Sequence, residues 1–120
     1  MLRVLRWLPA LAWMGVIFWS SSGPAPAPPG IEIPDKVAHF VVYAVLGTLL
    51  WLAAGHRGGV LAAVITMAVG GGYGALDEAH QRFVPARTAE VADWAADLAG
   101  LAVAVAMALA ARRVRRRAPG

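Results

Sequence analysis

The chain has 120 residues, 59% of them hydrophobic, and a mean hydropathy of +0.61; this is too apolar for an ordinary soluble domain, and the length suits a single unit, 1–120. It contains no cysteine, which excludes disulfides, zinc fingers and thiol catalysis. The net charge of +4 does not point to nucleic acid, because five of the eleven basic residues (Arg112, Arg113, Arg115, Arg116 and Arg117) follow directly on an apolar run, where they suit anionic lipid at a membrane surface.

The first apolar segment, about 4–20, starts among Arg3 and Arg6 and ends at Ser20, Ser21 and Ser22. A cleaved signal peptide has a similar outline. Trp7, Trp13, Trp19 and Pro9 favour a retained helix instead. Residues 23–34 are rich in Pro and Ala and read as an extended, stiff linker. Asp35 then reads as the N-cap of a second helix, about 36–54, where its carboxylate also suits the positive end of the helix dipole. Gly55-His56-Arg57-Gly58-Gly59 is a turn, in which His56 reads as a solvated loop residue. A third helix, about 60–81, is followed by a loop containing Pro85 and Arg87, and a fourth, about 91–111, begins near a capping Asp93.

The last three segments are each about 20 residues long, enough to cross a ~30 Å hydrocarbon core. No segment alternates with period two, so a barrel is not expected. The predicted fold is an all-α integral membrane bundle of four transmembrane helices. With four crossings, Arg3, Arg6, Arg57 and the tail arginines share one side, and the positive-inside rule then places both termini in the cytoplasm. Arg82 and Arg87 fall on the other side, against that rule, which suggests a local task for them.

On this topology the start of the second helix, the end of the third and the start of the fourth lie at one depth. They carry Asp35, Lys36, His39 and Tyr43; Asp77, Glu78 and Gln81; and Asp93 and Asp97. Asp35/His39, His39/Tyr43, Asp77/Gln81 and Asp93/Asp97 are four apart, and residues at that spacing share a helix face. Gly70 and Gly74, with Gly100 and Ala104, continue these faces as small-residue stripes that permit close helix approach. The polar groups should therefore point into the bundle. Plainer roles exist for some: Asp35 and Asp93 as caps, Lys36 snorkelling to headgroups, Arg87 on lipid phosphate. Glu78 and Asp97 lie deeper, and a buried carboxylate needs a partner; Arg87, Lys36 and His39 are the candidates. Asp77 and His80 share a face, but no further histidine motif completes a familiar ligand spacing, so neither a metal nor another cofactor is expected. The motifs of serine nucleophiles, phosphate loops and dinucleotide folds are absent from the sequence.

Taken together, these residues resemble the VanZ-like membrane proteins. The resemblance rests on Ser21 and Ser22; Asp35, Lys36, His39, Phe40, Tyr43, Leu46 and Gly47; Asp77, Glu78, Gln81, Phe83, Pro85 and Arg87; and Asp93 and Gly100, nearly the whole chain. Two positions depart from the pattern. Ala86 stands where the family usually has Gly, and Asp97 where it usually has Asn. The resemblance implies a small helical bundle in the bacterial cytoplasmic membrane. It also carries an association with low-level resistance to the glycopeptide teicoplanin, from which the family takes its name. The leading expectation is a binding role, enzymatic activity not being favoured: Arg87, Lys36 and His39 contact an anionic group of a lipid or cell-wall precursor, and Asp35, Glu78, Asp93 and Asp97 orient them. One alternative is an intramembrane enzyme acting on a lipid-linked substrate, with Glu78 and His39 as acid and base. The other is a small transporter or accessory subunit, for which four helices require a homo-oligomer.

Overall fold

The computed structural model describes residues 2–23, 34–85 and 89–119. The protein is all-helical, and no strand occurs among the described residues. The elements are α1 (Leu2–Leu5), α2 (Leu8–Ser21), α3 (Asp35–Ala54), α4 (Gly59–Gln81) and α5 (Val91–Arg117). They make four stretches long and apolar enough to cross a membrane: Leu2–Ser21, Asp35–Arg57, Gly59–Gln81 and Val91–Arg117.

Local chemistry explains the boundaries. The first span is split because Pro9 has no N–H to give to the carbonyl of Leu5. The chain tightens at Arg6 and Trp7, where the Trp7 amide donates to the Val4 carbonyl at 3.1 Å, and α2 restarts with Pro9 in its first turn, where proline is tolerated. Gly58, at φ 111°, supplies the left-handed residue that reverses the chain between α3 and α4. The helix α5 runs to Arg117, six residues beyond the predicted end at 111, because arginine is a good helix former and cations suit a helix C-terminus. Two capping expectations are corrected. Pro34 and Glu90 occupy the N-cap positions of α3 and α5, and neither cap is made by a side chain. Asp35 and Asp93 sit instead in the first turns, where their charge meets the dipole but the capping hydrogen bond is not theirs. The expected stiff linker falls mostly on residues 24–33, outside those described.

The core runs along the α3–α5 contact. Tyr43, Leu46 and Leu50 of α3 pack with Leu101, Ala104 and Val105 of α5, while Ala62, Thr66, Gly70 and Gly74 of α4 close the third side. The approach is closest at Gly47 and Gly100. A Cβ on Gly47 would meet the Ala104 Cβ at 2.9 Å, and one on Gly100 would run into the Phe40 carbonyl oxygen and the Ala44 amide nitrogen. Without a hydrophobic force between helices inside lipid, such backbone approach is a principal source of cohesion. The helix α2 lies on the outside of this trio. Its Trp13 indole donates to the Val42 carbonyl at 3.0 Å, and the Tyr73 hydroxyl donates to the Met14 carbonyl. Leu52, Val60, Val64, Leu76 and Met107 remain exposed, as lipid-facing residues should be.

The ends of the bundle differ in charge. Arg57, His56 and the arginines of α5 lie together at one end, where the Arg112 guanidinium reaches the Gly55 carbonyl at 3.5 Å. A groove of about 710 Å³ opens there between α3 and α5, lined by Trp51, Leu52, His56, Met107 and Arg115 among others. The opposite end holds six of the seven acidic residues of the chain; the seventh, Glu32, is outside the described residues.

Candidate functional site

At the acidic end, α3, α4 and α5 bring their polar residues into one cluster. Asp35, Lys36, His39 and Tyr43 come from the first turns of α3. Asp77, Glu78 and Gln81 come from the last turns of α4, and Asp93 and Asp97 from the first turns of α5. Helix periodicity accounts for much of the alignment: Asp35/His39/Tyr43, Lys36/His39, Asp77/Gln81, Glu78/Gln81 and Asp93/Asp97 are three or four apart and so share a face. The small residues behind each set let the faces meet. A Cβ on Gly74 would lie 3.1 Å from Asp97 Oδ2 and 3.3 Å from the Tyr43 ring, so only glycine there leaves room for both.

The cluster has a mouth and a floor. Asp35, Lys36 and Glu90 form the half-exposed mouth, where Lys36 Nζ donates to Glu90 Oε2 at 2.8 Å and to Asp93 Oδ1 at 3.1 Å. Below it, His39 lies between two carboxylates, with Nδ1 2.8 Å from Asp97 Oδ1 and Nε2 3.7 Å from Asp35 Oδ1. Asp97 is fully buried, and Asp93, Asp77, Glu78, Gln81 and Tyr43 are nearly so. Glu78 accepts the Glu90 backbone N–H on Oε2 at 3.1 Å. Glu78 Oε1, Asp97 Oδ2 and the Tyr43 hydroxyl are buried without a hydrogen-bond partner among the described residues. Buried polar atoms are seldom left so, and here three lie in one cluster.

Beside this, Gln81 bridges Asp77 Oδ2 (3.3 Å) and the Ser21 hydroxyl (3.5 Å), linking α4 to α2. His80 turns away from the cluster. It stacks on Phe18 with ring centroids 4.8 Å apart, and its Nε2 pairs with the Ser22 hydroxyl at 3.1 Å. Asp77 and His80 are thus engaged in different contacts, and their three-residue spacing does not make a shared ligand face.

Several sequence expectations change in detail. Lys36 pairs with Glu90 and Asp93 rather than with Glu78. The partner of Asp97 is His39, and Glu78 is held by a backbone N–H. Arg87 lies outside the described residues. Glu90 was missed as a site residue; its signal was its place immediately before an apolar run, which puts it at a helix start. Trp94 was missed as well. Its indole donates to the Gly71 carbonyl at 3.0 Å, an acceptor that the i→i+4 pattern of α4 leaves accessible because Gly71 has no side chain. The reading that no metal is expected rested on ligand spacing along single helices. Across helices, His39, Glu78 and Asp97 each offer a ligand atom, all within 4.8 Å of one another, and Asp35, His39 and Asp93 make a second such group.

The fold and this cluster define a class: a multi-pass α-helical membrane protein with a buried cluster of acids and one histidine at one end. Within that class, the chain belongs to the VanZ/LLP1 family, whose family model matches residues 6–112. No curated protein and no solved structure gave a match.

Proposed function

We propose that this protein binds the anionic headgroup of a lipid or lipid-linked cell-wall precursor at the extracytoplasmic face of the bacterial cytoplasmic membrane. The observation that carries the reading is the half-exposed Lys36 at the ends of α3 and α5, which for membrane-spanning helices is where lipid headgroups lie. Lys36 has three N–H donors and spends two on Glu90 and Asp93, which orient the ammonium and leave one for an incoming phosphate. Arg87, which lies in the sequence between α4 and α5, carries a guanidinium suited to bidentate phosphate contact. The floor of the recess gives no support to a transport path, since Tyr43, Leu46, Leu50 and Leu101 fill the bundle directly beneath it. A link to glycopeptide susceptibility comes with family membership as an association only.

The test is native mass spectrometry of protein extracted from its own membrane, followed by incubation with polyprenyl phosphates and phospholipids. The wild type should retain an anionic lipid. Arg87→Ala and Lys36→Met should retain about tenfold less or lower, the scale of one lost charge-assisted contact, while reaching the membrane in normal amount. Equal retention by these variants sinks the reading.

A second reading has its own observation: His39 lies between two carboxylates with an unpartnered Glu78 oxygen alongside, an arrangement able to pass a proton. The same incubations decide it, because turnover of a polyprenyl phosphate or lipid that is lost in Glu78→Gln would make the protein an enzyme. Orientation is tested separately. A fluorescent protein fused after the arginine-rich end of α5 should fluoresce and a periplasm-dependent phosphatase should stay inactive, as the positive-inside rule requires.

A further inference from the structure

The buried floor of the recess holds more acid than its bases can balance. The described cluster contains Asp35, Asp77, Glu78, Glu90, Asp93 and Asp97 against Lys36 and His39, and Lys36 is committed to the mouth. Beneath it, Glu78 and Asp97 are each more than nine-tenths buried, and each keeps one oxygen without a partner among the described residues. Two carboxylates in a low-dielectric interior with idle lone pairs are costly unless a cation or donor meets them. A single imidazole hydrogen bond to Asp97 does not meet both.

We propose that His39, Glu78 and Asp97 bind one divalent first-row metal ion, held through His39 Nδ1, Glu78 Oε1 and Asp97 Oδ2. The donor set is one imidazole and two carboxylates, one from each of α3, α4 and α5, a combination that suits Zn²⁺, Mn²⁺ or Fe²⁺. One ligand atom from each of the three residues already lies within 4.8 Å of the other two, and His39 Nδ1 is 2.8 Å from Asp97 Oδ1. Three donors arranged around one ion at about 2.0–2.2 Å each lie about 3.0–3.6 Å apart, so closure draws each donor inward by up to about an ångström. The rest of the surroundings fit. Asp35 Oδ1 lies 3.7 Å from His39 Nε2, on the far side of the ring, beyond hydrogen-bond length but near enough to accept the remaining N–H after a small side-chain shift, which would fix a metal-binding tautomer. The buried Tyr43 hydroxyl is also unpartnered, and the Tyr43 ring and Asp97 Oδ2 both flank Gly74, at 3.3 and 3.1 Å from its Cβ position. The neighbouring group, Asp35, His39 and Asp93, is the poorer site, because Lys36 holds Asp93 and Asp35 is exposed.

The site stands apart from the headgroup reading, and its test uses no lipid ligand. The purified full chain in detergent is stripped with a chelator and titrated with Mn²⁺ alone and Zn²⁺ alone. One ion should bind per chain. The Mn²⁺-loaded protein should show ¹⁴N coupling from a coordinated imidazole in pulsed electron paramagnetic resonance. That coupling should vanish in His39→Gln and persist in His56→Gln and His80→Gln. Asp35→Asn should weaken binding about tenfold or more, the usual effect of removing the carboxylate behind a ligating imidazole. Glu78→Gln and Asp97→Asn should weaken it further, with helicity and elution volume checked by circular dichroism and gel filtration. If a floor variant fails to fold, the wild-type stoichiometry and the three histidine spectra still decide. No stoichiometric uptake by the wild type, or nitrogen coupling that depends on His56 or His80 and not on His39, overturns the proposal.

Discussion

Gly100→Ala is expected to cost at least about 3 kcal/mol, at or above the upper end of the usual penalty for overpacking. Its added methyl would sit inside van der Waals contact with the Phe40 carbonyl and the Ala44 amide, and both are helix backbone that no rotamer change can move aside. The whole α3–α5 contact must open. That separates His39 from Asp97 as well as the two helices. Alanine recovers only up to about 1 kcal/mol in helix propensity, too little to offset the loss. Thermal unfolding in detergent should show a drop of more than about 10 °C, on the scale known for small domains. Gly72→Ala is the control: nothing lies within 4 Å of its Cβ position, so that variant should be neutral or slightly more stable. A Gly100→Ala protein as stable as the control would mean that the two backbones are not in contact.

His39→Ala is expected to destabilise the protein by about 3–5 kcal/mol, the range for removing one partner of a buried pair. The reason lies in Asp97, which is fully buried, makes its one described hydrogen bond to His39, and has its second oxygen unpartnered. Losing the imidazole strands the carboxylate. The double variant His39→Leu/Asp97→Leu should regain most of that stability, because a buried polar pair replaced by apolar residues of similar size is often neutral or better. Equilibrium unfolding of the two single variants and the double variant gives the coupling directly, through a double-mutant cycle. Additive effects would show that the 2.8 Å contact contributes nothing. The cycle should be run in chelator, so that a bound ion does not enter the comparison.

Much of the architecture was legible because membrane solubility leaves few options. A run of about 20 apolar residues has to be a helix in hydrocarbon, so the four spans and their order follow from hydropathy. Their exact ends were less legible. Arg112 to Arg117 read as a lipid-binding cluster beyond a helix ending near 111, yet they continue α5, since their helix propensity outweighs the change in hydropathy. Asp35 and Asp93 look like caps from composition. The chain instead starts each helix one or more residues earlier, a choice set by how the preceding backbone enters.

The sequence by itself determined the helical class, the number of spans, the separation of acidic from basic ends and, through three- and four-residue spacing, which polar residues share a face. These follow from local rules: burial of apolar side chains, helix period and the position of charge relative to apolar runs. Only the tertiary structure decided who meets whom. Lys36 pairs with Glu90 and Asp93, His39 with Asp97, and Glu78 with a backbone amide, while His80 turns to Phe18 and Ser22. Those pairings depend on the rotation of each helix about its axis, which is set by the glycines at the α3–α5 crossing and the packing around them. The idle oxygens of Glu78 and Asp97 arise in the same way. No spacing along one helix predicts them, because the three ligand atoms come from three helices.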